Sequence, residues 1–134
     1  MTTPPPIDAA RIRAHLSVVL RDVAPLGLDL PMTIGPEVDP DDGSVGVRLG
    51  FPDGSRTLYG WEELTPGEEL ERIADAVHEW ILEALPAHHR STAWPPCPAH
   101  PGTHPLEVHR LGEAVTWACP VTGDPHTALG ALAP

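Results

Sequence analysis

The run Val45-Gly46-Val47-Arg48-Leu49-Gly50-Phe51, with the turn Pro52-Asp53-Gly54 and the continuation Ser55-Arg56-Thr57-Leu58-Tyr59-Gly60, decides how the first part of this chain folds. Val45, Val47, Leu49 and Phe51 alternate with small or charged residues, so an extended backbone puts all four on one face. A second turn, Asp39-Pro40-Asp41-Asp42-Gly43, separates this run from another β-prone stretch at residues 33–38. Asp-Gly turns flanked by alternating residues predict a three-stranded antiparallel meander. Upstream, Asp8 is a helix N-cap, and Ile12, Leu16, Val19, Leu20 and Val23 follow the spacing of one helical face that ends before Pro25. Downstream, Thr65, Pro66 and Glu68 form a capping box that starts a second helix with the apolar face Leu70, Ile73, Val77, Trp80, Ile81 and Ala84. Helix, meander, helix predicts an α+β sandwich with both helices on one face of a small sheet.

A length of 134 residues suits one domain with a small appendage, and 18 prolines with 12 glycines keep the regular elements short. The net charge is −11, and all eight basic residues are arginine. That balance removes the main electrostatic term for binding a phosphate backbone, so no nucleic acid is expected as a partner. The N-terminus has no basic region followed by an apolar run, and no stretch approaches membrane-spanning length, which predicts a cytoplasmic protein with no membrane contact. Charge divides the chain near Pro86: residues 1–86 carry 16 acids and 6 arginines, and residues 87–134 carry 3 and 2. Three parts are expected: a disordered lead-in at 1–7, an acidic α+β module at 8–86, and a Pro/His-rich module at 87–134. The paired acids Glu62-Glu63 and Glu68-Glu69 sit at a helix start, where they read as a solvated face that favours the macrodipole.

Both cysteines and six of the eight histidines lie after residue 87. This last part is too short and too broken by proline to hold itself together without a metal or packing on the first part. Its readable element is a β-hairpin, 106–111 and 114–118 around Gly112-Glu113, bracketed by Cys97-Pro98-Ala99-His100 and Cys119-Pro120-Val121-Thr122-Gly123. Two Cys-Pro turns at the base of a hairpin are the layout of a zinc ribbon, where each turn offers ligands to one tetrahedral ion. Threonine at 122 supplies no ligand, so the fourth donor is His104, His126, Asp124 or water. His104 ranks first because it shares a short loop with Cys97 and His100. His109 lies mid-strand, away from the turns. The expected set is therefore Cys97, His100, His104 and Cys119 with zinc as cofactor, against a free-thiol reading and a Cys97–Cys119 disulfide.

The runs Trp94-Pro95-Pro96-Cys97-Pro98-Ala99-His100, His104-Pro105-Leu106 and Ala114-Val115-Thr116-Trp117-Ala118-Cys119-Pro120 resemble the zinc-ribbon-like C-terminal segment of small uncharacterised actinobacterial proteins. The resemblance covers about 30 residues and implies a shared small fold and a zinc site at Cys97, His100 and Cys119. It brings no activity with it. Other motifs are absent. His78-Glu79 has Leu82 where a zincin needs its second histidine, and there is no phosphate loop or nucleophile elbow. Three functional readings remain. One is a non-enzymatic protein-interaction module with a structural zinc site and another protein as partner. The second is a zinc hydrolase or lyase with an open coordination position and Glu107 or Glu113 as base. The third is an acidic DNA-mimic or immunity-type protein.

Overall fold

Asp8 turns its carboxylate back on the chain to accept the Arg11 amide at 3.1 Å, and there helix α1 (Ala9–Val23) begins. In this computed structural model, residues 7–28, 33–52, 54–61, 63–88 and 93–133 are described. Residues 1–6 of the expected 1–7 lead-in, Asp53 of the second turn, Glu62 and the polar run 89–92 lie outside them, while Ile7 is partly buried against the core. The fold is mixed α+β, with two α-helices and two three-stranded antiparallel sheets among the described residues.

Strands β1 (Thr33–Val38), β2 (Val45–Phe51) and β3 (Gly54–Tyr59) form the first sheet in that order, with Val47 opposite Pro36 on one side and Leu58 on the other. The alternation along β2 does what its sequence requires: Val45, Val47, Leu49 and Phe51 are all buried. Helix α2 (Pro66–Ala84) starts on the complete Thr65–Glu68 capping box. Its Trp80 stacks on Phe51 at 5.2 Å, and Arg56 of β3 donates to Glu79 and Glu83, each at 2.8 Å.

The second sheet is β4 (Glu107–Leu111), β5 (Ala114–Ala118) and β6 (Pro125–Ala128), with β5 in the middle. The sequence predicts two of these strands. The third, Pro125-His126-Thr127-Ala128, is short and mostly exposed, so no apolar alternation marks it. Helix α2 carries this sheet on its other side. His78 donates from Nε2 to the Trp94 carbonyl at 2.8 Å and sits edge-on to Trp117 at 5.1 Å, while Arg110 of β4 donates to Glu71 at 3.0 Å. One buried apolar cluster runs through both parts, from Ile12 and Leu49 through Ile73 and Ile81 to Leu106, Trp117 and Leu129. The charge step near Pro86 is thus crossed by continuous packing.

Two acids take places other than those expected. Glu69 is 1% exposed, not solvated. It faces α1, where Arg11 grips both its oxygens at 2.7 and 2.9 Å and His15 Nε2 stands 3.3 Å away. A carboxylate buried this deeply requires such partners. Glu113, considered as a base, instead caps the start of α2: it accepts from the Thr65 hydroxyl at 2.7 Å and the Gly67 amide at 3.3 Å. A Cβ on residue 67 would overlap that carboxylate, so glycine is what lets the hairpin turn come this close.

The second buried acid ties the ends of the chain together. Asp22, 2% exposed, accepts from Trp117 Nε1 at 2.8 Å, from the Gly130 amide at 2.8 Å and from the Leu132 amide at 3.0 Å. Asp22→Ala strands all three donors, and we expect it to lower the unfolding free energy by about 3–4 kcal/mol in urea titrations. Asp22→Asn keeps one acceptor oxygen and costs less.

A pH effect follows from His78. Burial holds its pKa below the ordinary histidine value of 6.5, against the opposing Trp94 hydrogen bond and the nearby Glu107 and Glu79. The unfolded chain takes up this proton first, so the contribution is present above about pH 6.5 and is lost as pH falls. The loss of stability between about pH 7.5 and about pH 5.5 should be smaller in His78→Leu than in the parent, measured at equal metal content.

Candidate metal centre

Two turns built by proline and glycine bring the ligand side chains together. In the first, the His100 amide donates to the Cys97 carbonyl and the Thr103 amide to the His100 carbonyl, both at 3.2 Å. The Leu106 amide donates to Pro95 at 2.7 Å and closes this loop at its base. In the second, the Gly123 amide donates to the Cys119 carbonyl at 2.7 Å, and the Cys119 amide donates to Asp124 at 3.0 Å. Gly123 sits at φ 79°, a left-handed conformation that a glycine adopts without strain. Cys97 and Cys119 are buried free thiols, while His100 and His104 are half-buried.

One donor atom from each of Cys97, His100, His104 and Cys119 lies within 4.8 Å of all the others, so these four residues can hold a metal ion. His100 Nδ1 is 3.6 Å from Cys97 Sγ, 3.5 Å from Cys119 Sγ and 3.2 Å from His104 Nε2. A tetrahedral ion with bonds of about 2.3 Å to sulfur and about 2.0–2.1 Å to nitrogen sets a sulfur and a nitrogen about 3.6 Å apart and two nitrogens about 3.3 Å apart. The three separations match those edges.

Hydrogen bonding alone accounts poorly for the same arrangement. A neutral imidazole nitrogen carries at most one hydrogen, yet His100 Nδ1 faces three polar atoms at once. His104 sharpens the point. Its Nδ1 stands 3.0 Å from the Pro105 carbonyl, an acceptor only, so the proton sits on Nδ1 and the Nε2 lone pair points at His100. A backbone carbonyl taking the outer N–H is the usual support for a metal-bound histidine.

The second turn prepares its sulfur as well. The Thr122 amide, followed by the Thr122 hydroxyl and the Val121 amide, lowers the Cys119 pKa to about 6 against the opposing effect of burial. A lowered pKa favours the thiolate, the form that binds metal. Thr122 thus serves as a donor to the Cys119 sulfur, and its hydroxyl oxygen is fixed in turn by the Asp124 amide at 3.1 Å. A threonine three residues after a cysteine, inside a turn closed by glycine, is the signal that points to this role.

His126 and Asp124 line the cleft of about 250 Å³ beside the cluster but do not belong to the four. His109 lies on β4, paired with Thr116 in the middle of the ladder. Glu107 pairs with Ala118 at the other end of that strand. Comparison with known families, with curated proteins and with solved structures finds no match. No helix among the described residues is long and apolar enough to cross a membrane.

The ligand set has a direct test. His104→Ala should weaken metal binding by more than the roughly 10–100-fold that loss of a supporting hydrogen bond costs. His126→Ala should leave it within about threefold, both read by competition with a chromogenic chelator.

Proposed function

We propose that this chain is a small, acidic, non-enzymatic protein-interaction module whose C-terminal sheet is stapled by one structural zinc ion at Cys97, His100, His104 and Cys119. The observation that carries the reading is the fit of the three donor separations to the edges of a zinc tetrahedron. Two sulfurs and two imidazoles favour zinc over the harder ions, which prefer oxygen. Cys-Pro turns on either side of a hairpin support the zinc-ribbon-like resemblance. Four protein donors close a tetrahedral shell, which favours a structural role over one that activates a bound water. The engagement of Glu113 with the start of α2 further disfavours the hydrolase reading.

A partner protein fits the surface. Leu111 on the hairpin and Val121 on the second turn are 79% and 70% exposed, while the overall charge of −11 repels nucleic acid. Thiols kept reduced for metal binding fit the cytoplasm.

Metal analysis of protein purified without an affinity tag tests the reading, with about one zinc per chain expected. Less than a tenth of an equivalent, together with two freely reactive thiols, would overturn it. Because the buried cluster spans both parts, removal of the ion should lower the stability of the whole chain in one cooperative transition. Circular dichroism of the two helices, followed against chelator concentration, reads that loss.

A further inference from the structure

We propose that Cys97 and Cys119 form an oxidation site at which a hydroperoxide exchanges the bound metal for an intramolecular disulfide; this rests on the zinc reading of the four residues. The chain has two cysteines and no others, so a sulfur oxidised at one can be resolved within the chain only by its neighbour. Their Sγ atoms lie within 4.8 Å of each other and flank the same imidazole nitrogen. Both residues line the cleft of about 250 Å³, which gives a peroxide-sized molecule a way in. Cys119 is 5% exposed against 1% for Cys97, so we take it as the sulfur attacked first.

The two states exclude each other by geometry. Two thiolates on one tetrahedral ion stand about 3.8 Å apart, whereas a disulfide draws the sulfurs to about 2.05 Å. In the first step the Cys119 thiolate attacks the distal peroxide oxygen; the O–O bond breaks, an S–O bond forms, and hydroxide or alkoxide leaves. In the second, the Cys97 thiolate attacks the sulfenic sulfur; an S–S bond forms and hydroxide leaves. The two thiolates lose two electrons to the peroxide, water protonates the products, and His100 and His104 remain as the only donors. Two imidazoles alone hold zinc far more weakly than the full set, so the ion is released.

The test uses the full-length protein loaded with zinc and treated with hydrogen peroxide. Released metal is read with a chromogenic chelator and the protein by intact mass. We expect one zinc released for each chain that loses two hydrogens, a product that stays monomeric without reductant, and recovery of zinc binding on adding dithiothreitol and zinc. Zinc released with oxygen atoms added to sulfur, a disulfide between chains, or zinc retained under excess peroxide would each overturn the proposal. A protein that takes up no zinc before peroxide is added fails the site reading itself, and that outcome is visible before the oxidation begins. As a second variant, Cys97→Ser should stop at a Cys119 sulfenic acid trapped by dimedone, without the loss of two hydrogens. Formation of that adduct to equal extent in the parent would show that Cys97 does not resolve it.

Discussion

A carboxylate taken out of water must find donors, and the donors that Asp22 finds define how the two ends of the chain meet. Its three partners are the indole of Trp117 and the amides of Gly130 and Leu132, all about a hundred residues away along the chain. Trp117 is fully buried, packs edge-on against Trp94 and His78, and sits on the central strand of the second sheet. Cys119 follows two residues later. The position of one of the four candidate donor atoms thus depends on a carboxylate in the first helix.

Helix α2 organises everything between those ends. Arg11 reaches it from α1 through Glu69, Arg56 from β3 through Glu79 and Glu83, and Arg110 from β4 through Glu71. Arg72 on the helix itself donates to the Tyr59 carbonyl at 2.5 Å. The more exposed of these pairs add little energy one by one. Together they use half of the arginines to fix neighbouring elements against a single helix.

What could be read in the sequence is what depends on near neighbours. The caps of both helices, the alternation along β2 and the short loop that carries Cys97, His100 and His104 are local patterns, and each names its own residues. The burial of Glu69, the anchoring of Trp117 on Asp22 and the capping of α2 by Glu113 depend on partners 46 to 95 residues away, which no local pattern encodes. Strand β6 escaped for a different reason. It opens with proline and its side chains face water, so its pairing with β5 is visible only in the backbone. The hydrogen bonds of Thr122 to the Cys119 sulfur likewise required the turn to be built.

Three of the four donors fall within the eight residues from Cys97 to His104, and only Cys119 comes from elsewhere. So short a loop closes at small entropic cost, which lets the unfolded chain grasp an ion through that loop alone. Affinity for the unfolded ensemble subtracts from the stabilisation that a ligand gives the native state. An ion held by all four residues would therefore couple to folding through the one bond that the loop cannot make by itself, the bond to Cys119.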